Sequence, residues 1–255
     1  MIHLAANVHC YYYSQLLRHM LSSFQLFPPK RHKFSLTVCY DPDDIGTREV
    51  MDFFSAQQAP ENYSLRRMPM TQEEVCARAI GKNRFAQEVI AGKIFADWCW
   101  WTDCDYSIGG HGDLDFICDT LAAQDFKTIP ITENGAVYWP GYVSAWDYDL
   151  SEKSIRMAKE TAGYVGLDPA DAVPHRIKIA IGGVQFVPAA TVIKVGGYCQ
   201  NSVRHQRPSP NGWRENKEDK AFRKQVGAVA ELPSMEGHLF RMRHRERGAN
   251  GKVEL

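Results

Sequence analysis

At 255 residues, with 44% hydrophobic and 24% charged content, the chain can bury one substantial core, and we read it as one α/β domain rather than two small ones. Its 30 Lys and Arg balance 30 Asp and Glu, which excludes the global basic field that drives unspecific binding to nucleic acid or anionic lipid. The 7 cysteines, at positions 10, 39, 76, 99, 104, 118 and 199, lack paired short spacing, which argues against a disulfide framework or a zinc site and for reduced thiols in the cytoplasm. Met1-Ile2-His3-Leu4 opens no basic-then-apolar leader, and no run reaches the ~18 apolar residues of a membrane span, so neither signal peptide nor span is expected.

Along the chain, Ile2 to Val8 predicts a strand, and Tyr11 to Phe27 a helix with Leu16, Leu17, Met20, Leu21 and Phe24 on one face, ended by Pro28-Pro29. Phe34 to Tyr40 reads as a buried strand with turn chemistry, Asp41-Pro42-Asp43-Asp44, at its exit, and a helix over Thr47 to Gln57 follows. Gln72 to Ala91 reads as a long helical region interrupted or bent around Gly81, leading to the apolar run Ile94 to Trp101 and then Thr102-Asp103-Cys104-Asp105. Beyond a helix at Leu114 to Gln124, strands are expected at Thr128 to Ile131, Ala136 to Val143 and within Ile177 to Val187. The stretch Ser144 to Ala172 reads as polar and partly helical, a short helix precedes Val195-Gly196-Gly197-Tyr198, Asn201 to Gly212 is loop, and the residues after 245 form a tail. Strands alternating with helices predict a mainly parallel sheet, whose ligands gather beyond the carboxyl ends of the strands, where both acidic clusters fall.

Two carboxylates one residue apart at the end of a buried strand can face one point if the backbone turns there. A hard divalent cation, Mn²⁺ or Mg²⁺, takes such oxygens together with phosphate oxygens, and as a Lewis acid it neutralises charge on a departing nucleoside diphosphate. Asp-x-Asp alone is a weak pattern; its position at the end of Phe95-Ala96-Asp97-Trp98-Cys99-Trp100-Trp101 is what gives Asp103 and Asp105 weight.

The run Ala96 to Asp105 resembles the strand-then-Asp-x-Asp signature of GT-A glycosyltransferases. Further pieces follow in that class's order: Gly182-Gly183-Val184-Gln185-Phe186-Val187 with Val195-Gly196-Gly197-Tyr198 resembles the acceptor-side strand and turn, and Asn211 to Arg223 resembles an acidic helix start. Gly237-His238-Leu239-Phe240-Arg241 is similar to the Gly-His-x-x-Arg segment of polypeptide N-acetylgalactosaminyltransferases, whose His is a metal ligand. The resemblance implies a GT-A fold: a Rossmann-like α/β domain over residues 1–245 with a central mixed, mainly parallel sheet, a nucleotide-sugar half to about 110 and an acceptor half beyond.

It also implies a set of roles. Asp103, Asp105 and His238 would hold the metal, with His244, in an Arg-Met-Arg-His context similar to β-1,4-galactosyltransferases, as the other candidate for third ligand. Asn7, Tyr40 and Asp41 would meet the nucleoside of a UDP-sugar, and Arg78, Lys82 and Arg84 its diphosphate, the arginines able to make bidentate contacts that lysine cannot. Gly197 and Trp213 would line the acceptor. Glu218-Asp219 would match the Glu-Asp pair of inverting enzymes, with Asp219 as base; in the other register Trp213-Arg214-Glu215-Asn216 matches a retaining motif in which Asn216 cannot serve as base, and Glu215 then matters.

The reaction expected is transfer of a sugar to a hydroxyl of a carbohydrate or glycoconjugate. Competing readings are transfer to a modified nucleic-acid base, nucleotidyl transfer to a sugar phosphate, and a non-enzymatic carbohydrate-binding module. The nucleotidyltransferase reading lacks its Gly-rich phosphate loop, since Ala5-Ala6-Asn7-Val8-His9-Cys10 is not one.

Overall fold

In the computed structural model the described residues are 1–11, 13–76, 78–123, 142–143, 174–175, 184–198, 222 and 240–241. Strands β1 (His3–Cys10), β2 (Lys33–Tyr40), β3 (Tyr63–Pro69), β4 (Trp98–Asp103) and β8 (Val184–Pro188) form one sheet in the order β3-β2-β1-β4-β8. The first four run parallel, and β8 joins β4 antiparallel, from Trp98 opposite Pro188 to Thr102 opposite Val184. The result is the expected mixed, mainly parallel α/β sheet.

β1 lies at its centre and is covered on both faces, which is why His3 to Cys10 reads as a nearly continuous apolar run rather than an alternation. Pleating sends Leu4, Ala6, Val8 and Cys10 to one layer, with Trp98, Trp100 and Phe186. Ala5 goes to the other, with Cys99, Trp101 and Val187. The first layer is closed by α1 (Ser14–Leu26), which brings Leu16, Leu17, Met20, Leu21 and Phe24, by α2 (Ile45–Ser55) and by α5 (Asp113–Ala122). The second is closed by α3 (Gln72–Cys76), α4 (Arg78–Ile90) and α6 (Ala189–Lys194), through Val75, Phe85, Val89 and Val192.

Two short pairings accompany the sheet. β5 (Tyr106–Ser107) runs antiparallel to β9 (Phe240–Arg241), and β6 (Tyr142–Val143) to β7 (Pro174–His175). At the amino end of the sheet, His32 joins β1 to α5: its Nδ1 accepts from the Ile2 amide at 3.0 Å, leaving Nε2 to donate to Asp119 at 2.8 Å. That hydrogen bond, joined by Arg31, holds the Asp119 carboxyl below its ordinary value.

The chain order of predicted elements matches this sheet, with two differences. β3 carries Arg66 and Arg67 on an edge strand, which masks its apolar pattern. The expected helical region is divided into α3 and α4, and Gly81 lies inside α4, where the space a side chain would take is filled by His9 of β1. The strand expected at Thr128 to Ile131, all but 142–143 of that at Ala136 to Val143, Ser144 to Ala172, Asn201 to Gly212 and the tail fall outside the described residues.

Candidate active site

From β1 the chain winds outward through β2 and β3, then returns to place β4 on the other side of β1. The order therefore reverses between β1 and β4, and a crevice opens at the carboxyl ends of those two strands. The residues there are His9 and Cys10 of β1 and Asp103 of β4, with His9 in register with Asp103; β2 ends beside them, Tyr40 opposite Cys10.

Asp103 is the last residue of β4 and is half-buried, while Asp105 in the turn that follows is 3% exposed. Between them Cys104 turns into the first core layer, near Tyr106 and Ile108. Its thiol is held well above the ordinary value, first by the neighbouring Cys10 thiol and then by burial, with the Asp105 and Asp103 charges adding to the effect. The inward cysteine fixes the turn from behind. No group of three or more His, Cys, Asp or Glu gathers among the described residues, so the described part of the site offers a cation two carboxylates. Such hard oxygen donors fit Mg²⁺ or Mn²⁺, whose shells are ordinarily completed by phosphate oxygens and water.

α4 covers the crevice on the second-layer side. A Cβ at Gly81 would lie 2.0 Å from His9 Nε2, so the imidazole sits directly against the helix axis at that point. One residue on, Lys82 is 3% exposed, with its Nζ 3.4 Å from the Tyr198 hydroxyl and 5.2 Å from that ring's centroid. The Tyr198 hydroxyl donates in turn to Gln185 Oε1 at 3.0 Å. Asn83 Oδ1 accepts from the Tyr198 amide at 3.1 Å, and Gln87 Nε2 donates to the Gly196 carbonyl at 3.0 Å. Gly197, at φ +112°, passes so close that an added Cβ would meet Gln87 Nε2 at 2.5 Å and Asn83 Oδ1 at 2.6 Å. Only glycine fits that approach.

The structure distributes the other candidates as follows. Asn7 is fully buried in the second layer, its Nδ2 donating to the Thr37 carbonyl at 3.3 Å and Cys39 Sγ at 3.2 Å. Burial pushes the Cys39 thiol up to about 12. Tyr40 belongs to the first layer, and its hydroxyl accepts from Arg67 Nε at 2.8 Å and Nη2 at 2.6 Å. Asp41, 6% exposed, accepts from the Asp43 amide at 2.9 Å and so folds the β2 exit back on itself. Arg84 is exposed and donates to the Pro69 carbonyl at 3.2 Å. The backbone of Arg78 is helical; its side chain is outside the described set, as are Trp213, Glu215, Glu218, Asp219, His238 and His244.

Sequence reasoning passed over His9, Cys10, Asn83, Gln87 and the aromatic box around Trp101. Phe222 stacks on Tyr198 with centroids 4.1 Å apart and meets Trp101 at 5.4 Å, so the segment carrying the acidic helix motif is fastened at this residue to the crevice wall. Phe222 lies within the Asn211 to Arg223 motif; no local pattern marks it as a contact of the distant Gly-Gly-Tyr turn.

The fold is that of the GT-A glycosyltransferases. TarS 1–349 from S. aureus is similar with a TM-score of 0.56 at 9% identity, covering 95% of this chain and 60% of that one. The same S. aureus protein in complex with UDP-GlcNAc gives 0.56 at 8% identity, over 100% and 62%. The mannosyltransferase PcManGT from Pyrobaculum calidifontis, in complex with GDP-Man and Mn²⁺, gives 0.55 at 11% identity, over 96% and 58%. The chain thus spans about 60% of the length of these structures. No family model and no curated protein matches its sequence.

Proposed function

We propose that the chain transfers a sugar from a nucleotide-sugar donor, a UDP-sugar by preference, to a hydroxyl of a carbohydrate or glycoconjugate. The observation that carries this reading is the pair Asp103, at the carboxyl end of β4, and Asp105, in the turn after it, at the point where strand order reverses, in a GT-A fold. Mn²⁺ or Mg²⁺ held by Asp103 and Asp105 would supply Lewis-acid stabilisation of the leaving diphosphate. Asp41 at the β2 exit would face the nucleoside, and Arg78, Lys82 and Arg84 on α4 its diphosphate. Of these, Lys82 has its Nζ within reach of Tyr198, so its part would be to hold that tyrosine and the acceptor-side turn at Gly197.

Asp219 would take the acceptor's proton, giving inversion at the anomeric carbon. The contact of Phe222, three residues on, with Tyr198 supports a location beside the crevice for that segment. The third metal ligand would be His238, with His244 as the other candidate.

The test is nucleotide release and product formation with a panel of UDP- and GDP-sugars in Mn²⁺, comparing wild type with Asp105→Asn, Asp219→Asn and Glu215→Gln. Loss of turnover in Asp105→Asn is expected, with a ~10²–10⁴-fold lower kcat in Asp219→Asn and an inverted product by anomeric NMR. Full turnover of Asp105→Asn in EDTA would sink the metal-assisted reading. A retained product with an inactive Glu215→Gln would move the chemistry to the other register.

A further inference from the structure

The edge strand β8 buries an amide where its pattern calls for an apolar side chain. In Val184-Gln185-Phe186-Val187, Gln185 shares a side of the strand with Val187 of the second core layer and stands opposite Trp101 in the antiparallel pairing. It is fully enclosed, and an enclosed amide is costly unless it is hydrogen-bonded. Its Oε1 accepts from the Tyr198 hydroxyl at 3.0 Å, and that hydroxyl lies 3.4 Å from Lys82 Nζ. The direction is fixed by chemistry: an ammonium group can only donate, so the phenol accepts from Lys82 and gives its one proton to Gln185.

The backbone of the same tyrosine is held as well, its amide donating to Asn83 Oδ1 at 3.1 Å, one residue along α4 from Lys82. Tyr198 is therefore gripped at both ends from α4, and at its hydroxyl also from the sheet edge. Phe222 stacks on its ring at 4.1 Å with 19° between the planes, and Trp101 meets Phe222 edge-on at 5.4 Å. We propose that Gln185 and Lys82 are positioning residues: through the Tyr198 hydroxyl they hold that ring at one angle as the platform for Phe222, three residues from the base assigned above, and so set turnover rather than donor affinity. The inference rests on the transferase reading above.

Tyr198→Phe keeps the ring and removes the one atom that both bonds share. Gln185→Met keeps the length without the acceptor, and Gln185→Glu restores an acceptor. Turnover is read as nucleotide release from the donor that the panel above selects, with kcat and KM separated, and UDP or GDP affinity by calorimetry with saturating Mn²⁺, on variants that circular dichroism shows folded. Tyr198→Phe and Gln185→Met should each lower kcat about 3- to 10-fold, the worth of one buried hydrogen bond, with KM and nucleotide affinity within about 2-fold of wild type. Gln185→Glu should recover most of the loss, and adding Gln185→Met to Tyr198→Phe should slow the enzyme no further, since that bond is already gone. A kcat for Tyr198→Phe equal to wild type overturns the inference, as does a Glu variant no better than Met, which would make Gln185 a packing residue only. Lys82→Met should also lower kcat at unchanged affinity; weaker nucleotide binding instead would put the ammonium on the diphosphate and overturn its part in the lock. If Gln185→Met does not fold, Tyr198→Phe decides alone by the same criteria. If the wild type releases nucleotide from no donor in Mn²⁺, the transferase reading itself falls and the inference with it.

Discussion

A Cβ on Gly81 would lie 2.0 Å from His9 Nε2, 2.7 Å from Cδ2 and 3.2 Å from Cε1, so the whole imidazole edge blocks it. Two effects compete in Gly81→Ala. Alanine in a helix interior gains about 1 kcal/mol over glycine, whereas forcing a packed ring aside costs about 1–3 kcal/mol. The clash should win, lowering stability by about 1 kcal/mol in urea unfolding, while in a His9→Ala background the same change should stabilise by about 1 kcal/mol. Additive effects of the two substitutions would show that the contact is not what glycine is there for. Asp103 and Asp105 were legible in the sequence because a polar pattern stands out at the end of an apolar run. His9 was not, since one histidine after a strand carries no spacing signal; its meaning comes from the Asp103 register and from the helix above it. Lys82 shows the limit from the other direction: the sequence offers a cation between two arginines as a candidate for a diphosphate, and the fold turns it toward Tyr198.

Among elements, β1 depends on how its first residue is held. The His3 amide donates to Asp97 Oδ2 at 2.7 Å, the Asp97 amide donates to the His3 carbonyl at 2.9 Å, and the ring lies 3.1 Å from Ser35 Oγ. Burial holds the imidazole below its ordinary value, with Asp97 opposing and Lys33 assisting. A histidine whose folded value lies below its unfolded one binds fewer protons when folded, so stability falls as pH drops from about 6.5 toward the lower folded value. His3→Gln should therefore lose less stability than wild type between about pH 7.5 and about pH 5.5, measured by urea midpoints; parallel pH profiles would remove His3 from the account. β1, β2, β4 and the helices α1, α2 and α5 could be read from periodicity because each buries one face or both. β3 could not: with Arg66 and Arg67 at its middle and one edge to solvent, Tyr63 to Pro69 lacks the alternation that marks a strand. The interruption expected near Gly81 falls earlier, between α3 and α4, and the glycine itself lies within α4 against His9.

At the scale of the molecule, the candidate site draws on segments far apart in sequence: the ends of β1, β2 and β4, one flank of α4, the Gly196–Tyr198 turn and Phe222. Their order along the chain carried the resemblance to glycosyltransferases, but which of them touch is decided by topology, through the reversal between β1 and β4 and the antiparallel entry of β8. Ligand and metal should consequently stabilise the molecule together. UDP at about 100 times its dissociation constant, with Mn²⁺ present, contributes about 2.7 kcal/mol, a rise of roughly 5–10 °C in Tm for a chain of this size. UDP in EDTA should shift Tm little, since the diphosphate then faces two uncompensated carboxylates; an equal shift in both conditions would mean that cation and nucleotide do not share a site.

The paired tryptophans of β4 also make the sheet an optical instrument. Trp100 and Trp101 are both fully enclosed but look to opposite sides of the sheet. One lies among Phe186, Phe34 and Phe24, the other among Tyr198, Phe222 and Phe85. Neither indole N–H has a hydrogen-bond acceptor among the described residues, so both should emit at the blue edge of the tryptophan range. Trp101 stands on the same side of β4 as Asp103, two positions before it, so charge arriving at the aspartate changes the field across its ring, while Trp100 is shielded by the sheet. Excitation absorbed by Tyr198, 5.0 Å away, passes to Trp101 as well. Trp101 therefore serves as a built-in reporter of the crevice, read against a Trp101→Phe variant because the chain has 6 tryptophans.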